Sequence, residues 1–322
     1  MARTLDDLFA SPDHYLHSFK GDAAIFVRMD RAAYHRSIFL DGRIATAADG
    51  RIPVPIAALV DGLRPAAPTG WIFHMAHCGS TLLARALDDP AGNLILREPR
   101  ALRQLALSPD AWRLTMTIAM LSKRYRVDAP TVVKANVPVN FLLPDLVARD
   151  PKARAIFLYF PLRDYLLAIL RDDSHREWLH FVTLELAAHL GDTTHLSDAE
   201  RAAALWLAQM RAFAAAIAAM PNARALEAER FFTAPRPTLQ AAAQHLEISM
   251  TRAAIDATVS GPLFATYSKS PGQAFDNAKR VARRNILEKW LEGELAQAQR
   301  WVEQTASDTI AEIDILAAAG LD

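Results

Sequence analysis

The chain has 322 residues, 52% of them hydrophobic and 22% charged, with 12 glycines and 18 prolines; that excludes a disordered, collagen-like or low-complexity chain and leaves about two domains or one large α/β unit. Lys and Arg, 36 together, balance 36 Asp and Glu, so a nucleic-acid partner, which draws on an excess of positive charge, is not expected. The single cysteine, Cys78, excludes a disulfide framework and a multi-cysteine zinc site, and it fits a reducing compartment.

The opening MARTLDDLFA carries no apolar export segment. Residues 1–68 read as a small β-containing extension. Its β-like runs are Ala23–Met29 and Ser37–Asp41, the second ending at a predicted Asp41-Gly42 turn. The segment Ile52-Pro53-Val54-Pro55 cannot lie inside a helix, because each proline removes a donor and fixes φ. Pro65 and Pro68 mark a linker.

From residue 69 to 322 short apolar runs alternate with helical stretches. The runs Trp71–Met75, Asn93–Arg97, Thr131–Lys134, Ala155–Phe160 and Ala223–Leu226 suit strands covered on both faces. Helices are predicted at Thr81–Leu87, Ala111–Lys123, Leu162–Arg171, Glu177–His189, Asp198–Met220, Pro237–Leu246 and Asn277–Val302. The alternation predicts an α/β fold with a parallel central sheet flanked by helices. Ala202–Met220 is the most apolar stretch, but Gln209 and Arg211 interrupt it, so a buried or amphipathic helix is expected rather than a membrane span. The expectation is a cytoplasmic protein with no membrane partner.

Ligands of open parallel sheets bind beyond the carboxyl ends of the strands, so the segment after the first run matters most. It reads His77-Cys78-Gly79-Ser80-Thr81 and opens a helix. Gly79 allows close backbone approach, and Ser80 and Thr81 add hydroxyl donors for an anion. Against the pattern G-x-x-x-x-G-K-[ST], Gly79 and Thr81 match, Ser80 replaces the lysine and His74 replaces the first glycine. Without that lysine, ordinary nucleoside triphosphate hydrolysis is disfavoured. A plain strand-to-helix turn is the alternative. Cys78 raises a cysteine-phosphatase reading, but the Cys-x5-Arg spacing fails: Ala84 stands where the arginine belongs, and Arg85 comes one residue later.

The run His77-Cys78-Gly79-Ser80-Thr81-Leu82-Leu83 resembles the 5′-phosphosulfate loop of the sulfotransferase family, with His77 at its basic position and Cys78 at its first serine. Leu94-Ile-Leu-Arg-Glu98-Pro99 looks like that family's second strand, which often ends in an acidic residue. Ala155–Phe160 with Arg163 to Arg171 looks like its 3′-phosphate strand and helix, and Ala223–Leu246 like its acidic strand end, then a proline and a helix. The likeness covers about residues 70–250. It implies a P-loop-type α/β sheet and sulfuryl transfer from 3′-phosphoadenosine 5′-phosphosulfate (PAPS), leaving PAP. The pattern departs at Phe160 and Ala168, where the family holds an Arg and a Ser on the 3′-phosphate.

On this reading Cys78, Gly79, Ser80 and Thr81 hold the phosphosulfate with His77. Glu98, at the carboxyl edge of the sheet, is the expected base, and its alternative is an ion pair with Arg97, Arg100 or Arg103. Lys134, ending the third run, and Arg163, opening the next helix, are expected to stabilise charge on the bridging oxygen. Arg171, Lys279 and Arg283 are further cofactor-binding candidates, Lys279 and Arg283 sharing a helix face at i, i+4. A solvated helix face is the alternative for the basic segment Lys269 to Arg284. His74 reads as a core histidine. His175 and His180 are not at the i, i+4 spacing of a zinc helix, and no metal is expected. The partners expected are a nucleotide and a small hydroxyl or amine acceptor. The alternatives are a P-loop kinase or hydrolase, and a P-loop protein that binds a nucleotide or partner without turnover.

Overall fold

The computed structural model describes residues 5–306 and 309–321. The N-terminal region is an antiparallel meander of β1 (His14–Lys20), β2 (Ala23–Arg28) and β3 (Ala48–Pro55), paired in that order. Pro53 and Pro55 sit in β3, an outer strand of this sheet, where a missing donor costs no ladder bond on the open side. β1 is absent from the sequence expectations, because His17 and Ser18 are buried in it and spoil the apolar alternation. His17 is satisfied there, its ring lying 3.0 Å from the Asp41 carbonyl and 3.0 Å from Ser18 Oγ.

The expected strand at Ser37–Asp41 is not one. Ser37 caps the helix Arg31–Arg36, and the chain after it is irregular. Leu40 meets the neighbouring strand edge, donating to the Arg97 carbonyl at 2.7 Å and accepting from the Arg100 amide at 3.3 Å.

The body is built on β4 (Thr69–His74), β5 (Leu94–Arg97), β6 (Thr131–Lys134), β7 (Ala155–Tyr159) and β8 (Ala223–Glu227). They form one 5-stranded parallel sheet in the order β5-β6-β4-β7-β8, covered by helices. The fold is α/β, as the apolar runs imply. β4 to β7 are buried at every residue, which is why they read as unbroken apolar stretches. The meander packs on this body, and both contribute to one continuous apolar core. Gln104, on the helix Arg100–Leu107, pairs its side-chain amide with both the N–H and the C=O of Phe19 in β1, at 2.8 and 3.0 Å.

Segments from outside the sheet lie along both of its edges. At β5, Arg97 is 1% exposed and turns outward to the carbonyls of Tyr34, His35 and Ser37 and to Asp88, 2.7 Å away. At β8, Ala225 donates to the Ala319 carbonyl and accepts from the Leu321 amide, both at 2.8 Å. That contact is a single-residue parallel bridge beside β8.

The helix Asp198–Ala219 starts with a capping box between Ser197 and Glu200. By length and composition it could cross a membrane, but most of its apolar window is buried inside the protein. Trp206 donates to the Phe160 carbonyl at 2.9 Å, and Gln209 accepts from Asn140 at 3.0 Å. The long helix predicted at Asn277–Val302 is two, Asn277–Trp290 and Glu292–Thr305. They part at Leu291, whose side chain turns into the core.

The connection leaving β4 runs toward β5, while the one leaving β7 runs the opposite way to β8. The two connections therefore diverge at the carboxyl ends of neighbouring strands, which opens a crevice there.

Candidate functional site

The crevice is floored by the loop after β4. His77 has φ +61° and Gly79 φ +84°, so the backbone turns sharply before the helix Ser80–Ala86 begins. A β-carbon at Gly79 would stand 2.7 Å from Phe232 Cζ, so only glycine fits between the loop and that ring. Phe232 is held by the Arg280 guanidinium, 4.3 Å above its ring, and Arg280 pairs with Glu229.

The loop side chains differ sharply in their surroundings. Cys78 is fully buried, and burial pushes its thiol up, with the Ser80 amide pulling the other way. It is a core thiol that offers the loop its backbone alone. Thr81 is 2% exposed, yet its hydroxyl has no hydrogen-bond partner. A buried hydroxyl left unpaired costs free energy, and a ligand oxygen at this spot would satisfy it.

Beside the loop, Lys134 ends β6 with no exposed surface and sets its Nζ 2.5 Å from Glu98 Oε1. Glu98 has φ +58° and donates its amide to the Lys134 carbonyl at 2.7 Å. Burial would raise the Glu98 carboxyl, but the Lys134 charge and hydrogen bond, with His74 and Lys269, together hold it below the usual carboxylate range. Glu98 is therefore an ionised, paired group. Its partner is Lys134, and not Arg97, which faces the other way, nor Arg103, which pairs with Glu185.

His74 sets its ring nitrogens against two carbonyls, Met75 at 2.7 Å and Ala135 at 2.8 Å. Burial, with Lys134 nearby, pushes its pKa down to about 3. It is a neutral core histidine beside the pair, 4.0 Å from Glu98. Asn136, two residues past Lys134, buries a side-chain oxygen without a partner.

Two further elements border the crevice. The hairpin of β9 (Thr266–Tyr267) and β10 (Ser270–Ala274) carries Lys269 at its tip, and Arg85 Nη1 donates to the Ser268 carbonyl at 2.8 Å. Lys269 stays open to solvent but lies in a concavity, where its charge acts on Glu98, Lys134 and Cys78. On the other side, the helix Asp173–Glu185 brings His175 against His77, ring centroids 4.1 Å apart, with Trp178 edge-on to His77 at 5.7 Å. Burial first, then the Lys269 charge, push His77 well below its ordinary pKa. Its ring is a neutral donor or acceptor rather than a cation.

The remaining sequence candidates are engaged elsewhere or lie at the surface. Arg163 is exposed and pairs with Glu288. Arg171 leans on Asp172, 3.2 Å away, and Arg283 approaches the same carboxylate at 3.8 Å. Lys279 is exposed on the helix Asn277–Trp290. Phe160 is buried and Ala168 packs on the core, so neither side chain offers a polar atom.

Sequence reasoning assembled Glu98, Lys134 and the loop; it named Lys269 only as part of a basic segment, and it did not place His175 at the site. No local signal marks Lys269, because only the tertiary fold returns its hairpin to a loop far earlier in the chain. His175 carries a faint one: Asp172 and His175 have the spacing of a helix N-cap and its third residue, a geometry that brings the two side chains together.

The molecule is thus a parallel α/β protein with a cation-lined loop at the point where its strand connections diverge. No family model and no curated protein match the chain. Its structure is similar to a sulfotransferase domain from the curacin biosynthetic pathway, with a TM-score of 0.40 and 11% identity over 74% of this chain and 98% of that one. It is also similar to a sulfotransferase from Alicyclobacillus acidocaldarius, with a TM-score of 0.37 and 15% identity over 76% of this chain and 99% of that one.

Proposed function

We propose that the chain transfers a sulfuryl group from a nucleoside phosphosulfate, PAPS in the first instance, to a small hydroxyl or amine acceptor. The observation that carries this reading is the buried, unpartnered Thr81 hydroxyl in a loop bordered by Lys134 and Lys269. A phosphosulfate offers that loop what it lacks: oxygens for the hydroxyl and backbone amides, and negative charge for the two lysines.

In this reading the backbone of Cys78 to Thr81, with the Ser80 and Thr81 hydroxyls, receives the phosphate. Lys134 and Lys269 stabilise charge that develops on the bridging oxygen, and His77 donates a hydrogen bond beside it. Glu98 is the counter-charge that holds Lys134 in place. The pairing with Lys134 lowers the proton affinity of Glu98, which makes it a weaker base than its position in sequence implies. Arg163 is paired with Glu288, and Arg171 and Arg283 share Asp172, so a nucleotide would compete with those carboxylates for them.

A second reading, nucleotide binding without turnover, is favoured by one observation. Phe160 and Ala168 present no polar side-chain atom where the resembled family grips a 3′-phosphate. Calorimetric titration with PAP, beside ATP, GTP, ADP and AMP, separates the readings. PAP binding that weakens in Ser80→Ala and Thr81→Val supports the phosphosulfate donor. Binding of another nucleotide with PAP excluded moves the chemistry to a different donor, a kinase or hydrolase among them. No binding of any nucleotide rejects both.

A further inference from the structure

The helix Asp173–Glu185 has a second face, turned away from the crevice. His175, Leu179 and Val182 are buried on the first face, where His175 meets the anion loop. Asp173, Glu177, Phe181 and Leu184 stand exposed on the other. That outer face borders an open cavity of about 810 Å³, lined by Asp173, Glu177, Phe181, Leu184, Thr194 and Arg201 among others.

Arg201 is the anomaly of this cavity. It comes from the helix Asp198–Ala219 and is 7% exposed. Its Nε is buried with no hydrogen-bond partner. Its terminal nitrogens meet only neutral oxygens, and at long range: Thr183 Oγ1 at 3.5 Å, Thr193 Oγ1 at 3.4 Å and the Leu196 carbonyl at 3.4 Å. The acids nearest in sequence are engaged with other groups. Asp198 lies 3.0 Å from Arg176 and 2.6 Å from His180, and Glu200 accepts from the Ser197 amide and hydroxyl at 2.9 Å. Asp192 accepts from Thr194 at 2.6 Å at the surface, within the field of Arg201 but not within bonding distance. A guanidinium cannot shed its charge, so burying it without a carboxylate costs free energy that an anionic ligand offsets. Arg201 also stands at the end of the first turn of its helix, where the dipole disfavours a cation and favours an anion.

The other walls narrow the kind of anion. Phe181 is 60% exposed and Leu184 69%, two large apolar side chains three residues apart on one helix face, so the ligand carries an apolar body. Asp173 and Glu177 line the same cavity and disfavour a second negative charge. A planar carboxylate matches the planar guanidinium. We propose that this cavity binds a small monocarboxylate with an apolar body, the carboxylate on Arg201 and the body on Phe181 and Leu184. The site is separate from the anion loop and does not depend on the phosphosulfate reading.

Calorimetric titration of the full chain with hexanoate and benzoate tests the proposal. Both are expected to bind. Acetate, which lacks the apolar body, and hexanol, which lacks the charge, are each expected to bind about tenfold more weakly or worse. Arg201→Met is expected to weaken hexanoate binding about 10–100-fold. Without ligand it is expected to melt no lower than wild type, because an unpaired buried charge gives way to an apolar chain. Phe181→Ser changes an exposed residue and serves should Arg201→Met fold poorly; its hexanoate affinity is expected to fall toward that of acetate. Thr81→Val, which alters the anion loop, is expected to leave hexanoate affinity as it is, and a loss there assigns the binding to the loop and overturns the second site. No hexanoate binding by wild type, sulfate bound as tightly as hexanoate, or hexanoate affinity unchanged in both Arg201→Met and Phe181→Ser, each overturns the proposal. So does dimerisation in sedimentation that Phe181→Ser abolishes, which gives the face to a second copy of the chain.

Discussion

At its amino end β4 borders a cavity of about 530 Å³ lined by Leu63, Trp71, Phe73, Ile118, Leu146 and Met220 among others. At its carboxyl end the same strand runs into the loop of Gly79 and Thr81 beside Lys134 and Glu98. The first region is mostly apolar; Trp71 stacks on Phe73 at 5.7 Å, and Phe73 on Phe157 at 5.1 Å. Its deficit is only of dispersion contacts. The second region holds an ion pair out of water, a hydroxyl and an amide oxygen without partners, and two backbone residues at positive φ that are not glycine. Those features cost stability and persist only where the surrounding structure enforces them. A cavity alone therefore does not mark the site of chemistry; unsatisfied polar groups point to it.

Substitutions at the two ends can break this contrast. Glu98→Gln leaves the fully buried Lys134 without its counter-charge and is expected to destabilise the fold by about 3–5 kcal/mol in denaturant unfolding. Adding Lys134→Met is expected to recover most of that loss; no recovery means the pair is not a stabilising unit. The pair also sets an acid limb. Because Glu98 binds its proton more weakly folded than unfolded, its contribution is complete above the unfolded carboxyl range, near 4.5, and is lost as pH falls through the folded value. Stability of Glu98→Gln measured against pH should show a flatter acid limb.

Phe73→Ala, at the other end, is expected to cost a similar amount, about 3–5 kcal/mol, as a buried phenylalanine does on truncation. It should leave PAP affinity unchanged, and a parallel loss of affinity would show that the two ends are coupled. Gly79→Ala is expected to cost about 2 kcal/mol from its left-handed backbone alone. Combining it with Phe232→Ala removes the ring that a β-carbon would strike, and should recover the steric part of the loss but not the backbone part. The smallest effect is the most telling. Thr81→Val removes a buried hydroxyl that bonds to nothing, so stability is expected to hold or rise by about 1 kcal/mol, while PAP affinity falls about tenfold. A fall in both would make Thr81 a structural residue.

The sequence made the parallel sheet legible because β4 to β7 are buried on both faces and carry unbroken apolar runs. The meander was half legible. β2 is a short unbroken apolar run and reads as a strand, whereas β1 hides His17 and Ser18 in the core and Ser37–Asp41 mimics a strand without pairing as one. At the site, Lys134 could be found because it ends a strand, and Gly79 and Thr81 because they lie in the turn and helix start that follow β4. What could not be read was pairing. Arg163 turns to Glu288 and Arg171 to Asp172, and Glu98 meets Lys134 rather than an arginine next to it in sequence. Most of these contacts join residues from different elements, and charge patterning within one segment does not encode them.

The guarding of the sheet's two open sides has a consequence for how the chain is made. Ser37 and Leu40 lie along β5, and Ala319 and Leu321 bracket Ala225 in β8. A parallel sheet with free backbone donors and acceptors on its flanks invites another chain to add to it. One flank is shielded by a segment synthesised before the sheet exists; the other waits for residues that emerge after every strand of it. Until those arrive, β8 is a sticky margin, and a truncation just before Ala319 is a route to intermolecular pairing rather than to a simple loss of stability.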